Sequence, residues 1–206
     1  MNDTESISIL RNTLNYSKDS INKLKVYKNE LIFYNRRYNL ISSSTEDKIW
    51  FRHFLDSAQI GKYIDFEDNN SLSDLGTGAG FPGLVLAINN KNRLFHVKLY
   101  EKSKVKCNFI NSIIKKLEIK NVKVYHGDLT NLKIKSKYIV IRAFKKLQEI
   151  INISREKIEK PHKIIILKGK SAQEEINKAL KFQIFEYKLE NSITDKESKI
   201  VTMEIK

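Results

Sequence analysis

The sequence contains few of the residues that make disulfides, kinks and linkers: one cysteine and two prolines occur among 206 residues. The single cysteine, Cys107, excludes an internal disulfide framework and is typical of a reducing compartment. No apolar run approaches the roughly 20 residues of a membrane span, and the first residues lack the basic and apolar regions of a signal peptide. We therefore expect a cytosolic protein with no membrane segment.

What the sequence does contain is enough apolar material for one folded unit. Hydrophobic residues make up 41% of the chain. A chain of this length fits one α/β domain plus a modest extension rather than two full domains.

The positive charge is unevenly distributed along the chain. The net charge is +14, yet residues 1–70 contain ten basic and ten acidic side chains. Residues 91–146 contain sixteen basic residues against Glu101, Glu118 and Asp128. This clustering predicts a surface that attracts phosphates, as in a nucleic-acid-binding protein. A general lysine bias is the alternative, although it would also raise the charge of the first 70 residues.

The first part of the chain, residues 1–70, is predicted to be a helical extension. Its first 65 residues contain one glycine and no proline. Leu24, Tyr27, Leu31, Tyr34 and Tyr38 recur at three- and four-residue steps, which indicates one apolar helix face. A second helix is predicted from about residue 45 to residue 63.

Residues 71–206 are predicted to form an α/β domain, because β-rich runs alternate with amphipathic helical stretches. The predicted strands are 71–75, 94–100, 122–126, 137–142, 163–167, 183–189 and 199–205. The predicted helices are 81–90, 103–118, 145–159 and 171–181. The last two strands are separated by too few residues for a crossover helix and should pair antiparallel. Five parallel strands followed by such a hairpin are typical of the seven-stranded, Rossmann-like sheet of class I S-adenosylmethionine-dependent methyltransferases.

A glycine-rich segment follows the first predicted strand. Gly76, Gly78 and Gly80 precede a helix, an arrangement that allows a sharp turn and a close approach of the backbone to a nucleotide. Gly78, Gly80 and Gly83 also have the G-x-G-x-x-G spacing of dinucleotide-binding proteins. The short chain and the terminal hairpin favour the methyl donor. A glycine turn without a ligand is the remaining alternative.

Side chains at the ends of the next strands complete the predicted cofactor site. Glu101 follows Gly80 by 21 residues, where such folds place an acid that binds the ribose hydroxyls. Asp128 follows the third strand, at the edge that contacts the adenine. Arg142 ends the fourth strand, and ligands bind outside the carboxyl ends of parallel strands.

The absence of two motifs restricts which atom can accept the methyl group. With Pro82 and Pro161 as the only prolines, no Asp/Asn-Pro-Pro-aromatic motif of exocyclic amino methylation is possible. Carbon-5 methylation of pyrimidines needs a nucleophilic thiolate, whereas Cys107 lies within a predicted helix as a packing residue. The N7 atom of guanine fits this sequence better than either of those acceptors. Its lone pair is free at neutral pH, so its methylation needs no general base.

Several segments of the chain resemble the RsmG (GidB) family of bacterial rRNA methyltransferases over roughly residues 20–206. The segments are Tyr38-Asn39-Leu40-Ile41, Arg52-His53-Phe54-Leu55-Asp56-Ser57, residues 74–83, His126-Gly127-Asp128, Arg142-Ala143-Phe144 and Leu167-Lys168-Gly169. The Arg-His-x-Leu-Asp-Ser segment is the most specific of them.

This resemblance implies transfer of a methyl group from S-adenosylmethionine to N7 of one guanosine in 16S rRNA. It implies cofactor contacts at Gly76, Phe81, Leu129, Thr130 and Arg142, in addition to those expected from the residues themselves at Gly78 and Glu101. The partner would be 16S rRNA or the small ribosomal subunit. Neither a metal nor a catalytic side chain is expected. The family often has Ala-Glu where this chain has Leu129-Thr130, and often Asp where it has Glu101.

Other polar residues keep two interpretations each. His53 either acts in the reaction or ties the N-terminal helices to the sheet. Arg52 either contacts phosphate or pairs with Asp56, four residues later. Four lysines are either RNA contacts or solvated surface: Lys145, Lys146, Lys168 and Lys170.

Two other functions remain open from the sequence. One is a class I methyltransferase that acts on a protein or a small molecule, for which the basic cluster has no evident use. The other is a binding protein without chemistry, for which retention of both the glycine segment and the ribose acid is unexpected.

Overall fold

A seven-stranded sheet forms the centre of the protein in a computed structural model, which describes residues 1–129, 133–182 and 185–206. The strand order is β3-β2-β1-β4-β5-β7-β6. The strands are β1 (Ser71–Leu75), β2 (His96–Glu101), β3 (Val122–His126), β4 (Tyr138–Arg142), β5 (His162–Lys168), β6 (Lys188–Asn191) and β7 (Lys199–Ile205).

The pairing of the strands confirms the predicted parallel sheet with an antiparallel terminal hairpin. Strands β1 to β5 pair in parallel, whereas β7 pairs antiparallel with β5 and with β6. The sixth strand was predicted too early, at 183–189, because its aromatic residues have high strand propensity. Phe185 and Tyr187 instead pack on a core cluster next to the sheet, and the strand begins at Lys188. Residues 183 and 184 lie outside the described ranges.

Both faces of the central strands are covered. Along β4 and β5, Val140 and Ile165 belong to one hydrophobic cluster, while Ile139, Ile141 and Ile164 belong to the other. This alternation follows from the two-residue repeat of a strand. The near-continuous apolar runs of the two strands reflect burial on both sides.

Helices cover the two faces of the sheet. They are α1 (Asp3–Asn12), α2 (Lys18–Tyr38), α3 (Asp56–Ala58), α4 (Gly83–Asn89), α5 (Lys104–Lys116), α6 (Leu147–Lys157) and α7 (Ala172–Leu180). Helices α4 and α5 contact β2, and α2 packs on both of these helices. Helices α6 and α7 contact each other and contribute side chains to the second cluster. Within the described ranges, no helix is both long and apolar enough to span a membrane.

The single helix predicted over residues 45–63 is wrong in detail. The segment is a succession of 3₁₀ turn (Ser43–Lys48), π-helical turn (Trp50–Leu55), α3 and a second 3₁₀ turn (Gln59–Tyr63). Its apolar side chains, including Trp50 and Phe54, are buried in the same cluster as α2. A hydrophobic pattern indicates a helix but does not distinguish its windings, and a π turn re-aims the side chains that follow it.

Helix α2 is fastened to the glycine loop (residues 76–83) through one buried side chain. The Tyr27 hydroxyl donates a hydrogen bond to the Ala79 carbonyl, and its ring stacks on Phe81 with centroids 5.5 Å apart. The first helices and the sheet therefore share a core. The division of the chain at residue 70 stays a prediction.

Replacing Gly80 by alanine tests this attachment. Gly80 has a φ of +106°, and an added Cβ would lie 2.5 Å from the Tyr27 hydroxyl oxygen. The matched control is Gly78→Ala, since Gly78 has a φ of +62° but an added Cβ would meet nothing within 4 Å. In urea unfolding, we expect Gly80→Ala to lower the free energy of unfolding by at least about 2 kcal/mol more than Gly78→Ala. Equal losses would show that the contact with Tyr27 is unimportant.

Candidate active site

A cavity of about 840 Å³ opens at the carboxyl ends of the parallel strands. This is the edge where ligands bind in open α/β sheets. Its walls come from the glycine loop, the ends of β2, β3 and β4, and α6. The residues that precede β1 (1–70), called the N-terminal segment below, also contribute to the walls. The walls include Leu40, Ile41, His53, Gly76, Gly78, Phe81, Glu101, Asp128, Leu129, Arg142, Phe144 and Lys145.

The glycine loop has the sharp turn that its sequence predicts. Gly76, Gly78 and Gly80 all have positive φ values, of +72°, +62° and +106°. A Cβ on Gly76 would collide with the Phe144 ring at 2.3 Å, whereas one on Gly78 would point into open space. Gly78 is therefore the point of the loop at which a ligand can approach the backbone most closely.

The amide groups near the start of α4 are largely engaged within the loop. The Gly80 and Phe81 N–H groups donate to the Thr77 carbonyl, and the Gly83 N–H donates to Asp74. These N–H groups are therefore not free to donate to a ligand. The loop instead contributes a stretch of backbone at Gly78 that no side chain covers, so that a ligand can approach it closely.

Glu101 is held rigidly beside the loop. Its Oε2 atom accepts from the Gly78 N–H at 2.9 Å, and Oε1 accepts from the Ser103 N–H at 2.8 Å. The side chain lines the cavity, although the residue is only 8% exposed. Each carboxylate oxygen has a second lone pair, so the fixed carboxylate can still accept from hydroxyl groups of a ligand.

Asp74, at the foot of the loop, is a structural residue of the site that sequence reasoning missed. It is completely buried, and its Oδ2 atom accepts from the Thr77 hydroxyl at 2.6 Å and from the Gly83 N–H at 2.7 Å. Burial raises the pKa of Asp74 to about 7, against the opposing effect of those two hydrogen bonds. Its position two residues before Gly76 was the available signal.

Arg142 joins three parts of the molecule. Its Nη1 atom donates to the Arg52 carbonyl at 2.9 Å and lies 3.4 Å from Asp56 Oδ2. Its Nη2 atom lies 3.0 Å from His53 Nδ1, and the guanidinium lies 5.0 Å from the centre of the Phe81 ring. Arg142 thus connects the end of β4, the glycine loop and the N-terminal segment at the cavity wall.

The protonation of His53 follows from these contacts. Arginine has only donors, so Nδ1 must accept from Arg142, and Nε2 must carry the proton that it donates to Thr45 Oγ1 at 2.9 Å. Burial, followed by the charges of Arg142 and Arg52, lowers the pKa of His53 to about 3. His53 is therefore neutral, and both ring nitrogens are engaged.

Arg52 does not pair with Asp56, which was one of the two interpretations that the sequence left open. Its Nη1 atom lies 3.3 Å from Asp195 Oδ2, in the turn between β6 and β7. Asp56 instead accepts from Thr194 Oγ1 at 2.7 Å and faces Arg142. The irregular helical turns aim the two side chains differently from a continuous α-helix, in which they would be neighbours.

The other predicted site residues are divided between the cavity and the surface. Leu129 and Asp128 line the cavity, while Thr130 lies outside the described residues. Lys145 also lines the cavity. Lys168 pairs with Glu175, and Lys146 and Lys170 are exposed. In the described ranges, no group of three or more His, Cys, Asp or Glu residues is placed to hold a metal ion.

The basic residues of 91–146 do not form one face. Lys102, Lys106 and Lys145 lie at the cavity. Lys137 pairs with Asp68 just before the amino end of β4, at the opposite edge of the sheet, and Lys116 pairs with Glu30 of α2. Only part of the excess charge is therefore near the cavity.

A His53→Gln variant tests the neutral state of the buried imidazole. A folded pKa of about 3 against an ordinary value of 6.5 means that unfolding allows His53 to bind a proton at mildly acidic pH. This contribution to wild-type stability is present above pH 6.5 and is lost as the pH falls towards 3. Relative to wild type, the variant should gain about 2 kcal/mol in free energy of unfolding between pH 7 and pH 5. A pH-independent difference between the two unfolding curves would contradict the assignment.

An Asp74→Asn variant should show the opposite pH dependence. The folded pKa of about 7 lies above the ordinary value of 3.8. The stability that protonated Asp74 contributes is complete below pH 3.8 and is lost as the pH rises through 7. In denaturant titrations, the variant should therefore gain on the order of 2 kcal/mol relative to wild type between pH 5 and pH 8. A gain towards acidic pH instead would show that Asp74 is ionised in the fold.

Two solved structures with a similar fold are those of methyltransferases. One is an S-adenosylmethionine-dependent methyltransferase from Aquifex aeolicus, with a TM-score of 0.59, 15% identity, and coverage of 73% of this chain and 90% of that one. Another is TYW2 from M. jannaschii in complex with AdoMet, with a TM-score of 0.54, 17% identity, and coverage of 72% and 74%. At these identities the likeness shows the fold alone, which is the class I methyltransferase fold expected from the strand order.

Sequence relatives are closer. The family model described as rRNA small subunit methyltransferase G (GidB) matches residues 20–203. A ribosomal RNA small subunit methyltransferase G from Orientia tsutsugamushi (strain Ikeda) is 36% identical over 93% of this chain and 93% of its own length. One from Rickettsia akari is 35% identical over 90% of this chain and 94% of its own. The chain belongs to the rRNA small subunit methyltransferase G (GidB) family.

Proposed function

We propose that the protein transfers a methyl group from S-adenosylmethionine to N7 of one guanosine in the 16S rRNA of the small ribosomal subunit. The observation that carries this proposal is the family match over residues 20–203, on a fold whose cavity lies at the cofactor edge of the sheet.

The residues at the cavity fit S-adenosylmethionine. The open space beside Gly78 allows the ligand to lie directly against the backbone of the loop. The fixed Glu101 carboxylate can accept hydrogen bonds from the ribose hydroxyls. The remaining contacts of the proposal are Gly76, Phe81, Leu129, Thr130 and Arg142. At Leu129 the apolar side chain suits a face of the adenine ring.

The chemistry of this site requires alignment rather than proton transfer. The bound cofactor supplies an electrophilic methyl group on a sulfonium. The N7 atom of guanine has a free lone pair at neutral pH, so the protein needs only to hold it in line and exclude water. The His53 imidazole lies on the cavity wall, and it has no free nitrogen to serve as a base. This agrees with an acceptor that loses no proton before the transfer.

A protein or small-molecule acceptor is the alternative within the same fold. The names of the relatives and the lysines at the cavity both favour a polyanionic RNA.

The direct test incubates the protein with labelled S-adenosylmethionine and small subunits from a strain that lacks the enzyme. Borohydride reduction and aniline cleavage would then locate 7-methylguanosine at one position of the 16S rRNA. Label transfer without such cleavage would refute N7 as the target atom.

A Gly78→Asp variant tests the cofactor site. The new side chain would project into the cavity next to the Glu101 carboxylate, so we expect calorimetric binding of S-adenosylmethionine to be lost. Asn15→Asp is the matched control, because Asn15 is exposed, has a φ of +56° and lies in a turn between α1 and α2. It introduces the same charge change at a left-handed position and should bind normally. Unaltered affinity of Gly78→Asp would count against the glycine loop as the binding element.

A further inference from the structure

The last two turns of α2 present aromatic rings and arginines to solvent. Phe33 is 68% exposed and Tyr38 is 39% exposed. Arg36 and Arg37 are exposed beside them. We call these four residues the α2 surface. Arg36 and Arg37 follow Phe33 by three and four residues, which places these three side chains together on the helix.

The two exposed rings of the α2 surface pack against Tyr34, which connects them to the protein core. Half-buried Tyr34 contacts the Phe33 ring edge-on, with centroids 5.7 Å apart, and stacks with Tyr38 at 6.1 Å. Tyr34 in turn packs on Phe109 of α5 at 5.4 Å. The Arg37 guanidinium lies 5.3 Å from the centre of the Tyr38 ring. The exposed rings therefore rest on the core, which lowers the entropy cost of binding a planar partner.

The surface is electropositive at short range. Residues 31–45 include both arginines and no acidic residue. The flanking carboxylates are already engaged, since Glu30 pairs with Lys116 and Glu46 accepts from Asn35 Nδ2. Within residues 31–45 an anionic partner would thus meet no carboxylate.

The α2 surface also adjoins the cavity. Helix α2 ends at Tyr38, and Leu40 and Ile41, immediately after it, line the cavity. On the neighbouring helix, Lys106 in the first turn of α5 lines the same cavity. A chain that inserts one residue into the cavity can therefore continue onto the end of α2.

From these observations we propose that the α2 surface binds unpaired nucleotides of the substrate RNA next to the target guanosine. A base stacks on Phe33, and Arg36 and Arg37 contact phosphates. Aromatic rings bind bases of any sequence by stacking, and arginines contact both phosphates and base planes. The charge and the exposed rings favour RNA over an apolar protein partner. The proposal rests on the proposed function, because it takes the RNA substrate as given.

The test uses two single variants and two matched controls. Phe33→Ser removes the exposed ring, and Phe182→Ser is its control, since Phe182 is 78% exposed just after α7 on the other face of the sheet. Arg37→Ala removes one charge, and Arg11→Ala, at an exposed residue in the last turn of α1, is its control. Dissociation constants are measured for protein-free 16S rRNA and for small subunits, over a range of salt concentrations.

Phe33→Ser should weaken binding to both substrates about tenfold without changing the salt dependence. Arg37→Ala should also weaken binding and lower the slope of log Kd against log salt by about one. The controls should match wild type, and all four variants should bind S-adenosylmethionine with wild-type affinity.

Three outcomes would overturn the proposal. Weakening confined to whole subunits would indicate a ribosomal protein as the partner. Variants indistinguishable from their controls would remove the α2 surface from substrate binding while wild-type methylation still upheld the proposed function. Absence of RNA methylation by the wild type itself would refute the proposed function, and the α2 proposal with it.

Discussion

The Arg142 guanidinium is the contact on which the arrangement of the cavity depends. It is carried by the end of β4, yet its donors reach the Arg52 carbonyl, Asp56 and His53. A largely buried charge is stable only when its hydrogen bonds are satisfied. The partners that stabilise Arg142 therefore come from the N-terminal segment. His53 remains neutral mainly because it is buried, and also because a second positive charge beside Arg142 would be repelled.

The N-terminal helices are consequently part of the cavity rather than an appendage to the sheet. Tyr27 fixes the glycine loop from one side, through its hydroxyl group and its ring. Leu40 and Ile41 then supply a wall that the α/β region by itself does not have. Methyl transfer by alignment requires a cavity from which water is excluded. The packing of α2 and the chemistry are thus linked physically, and the end of the same helix is available to contact the substrate outside the cavity.

The elements with strong local signals were predicted well. Strands β1 and β3 have the predicted bounds, because apolar β-rich runs are interrupted sharply by glycine or polar residues. The start of β6 was misplaced, since Phe185 and Tyr187 pack on the core rather than in the ladder. The irregular turns before Tyr63 were read as one helix, because a periodicity of apolar residues does not record whether the winding is 3₁₀, α or π.

The sequence by itself determined the succession of five parallel strands and a terminal hairpin, the glycine loop with its acidic partner, and the family. These features depend on patterns of residues that are close together in the chain and are therefore visible in the sequence. Only the tertiary structure decided what the polar residues do: Arg52 pairs with Asp195, His53 with Arg142, and Asp74 is buried with a raised pKa. It also divided the basic stretch between opposite edges of the sheet. Such partners are distant in the chain, and their charges depend on burial, which no local pattern specifies.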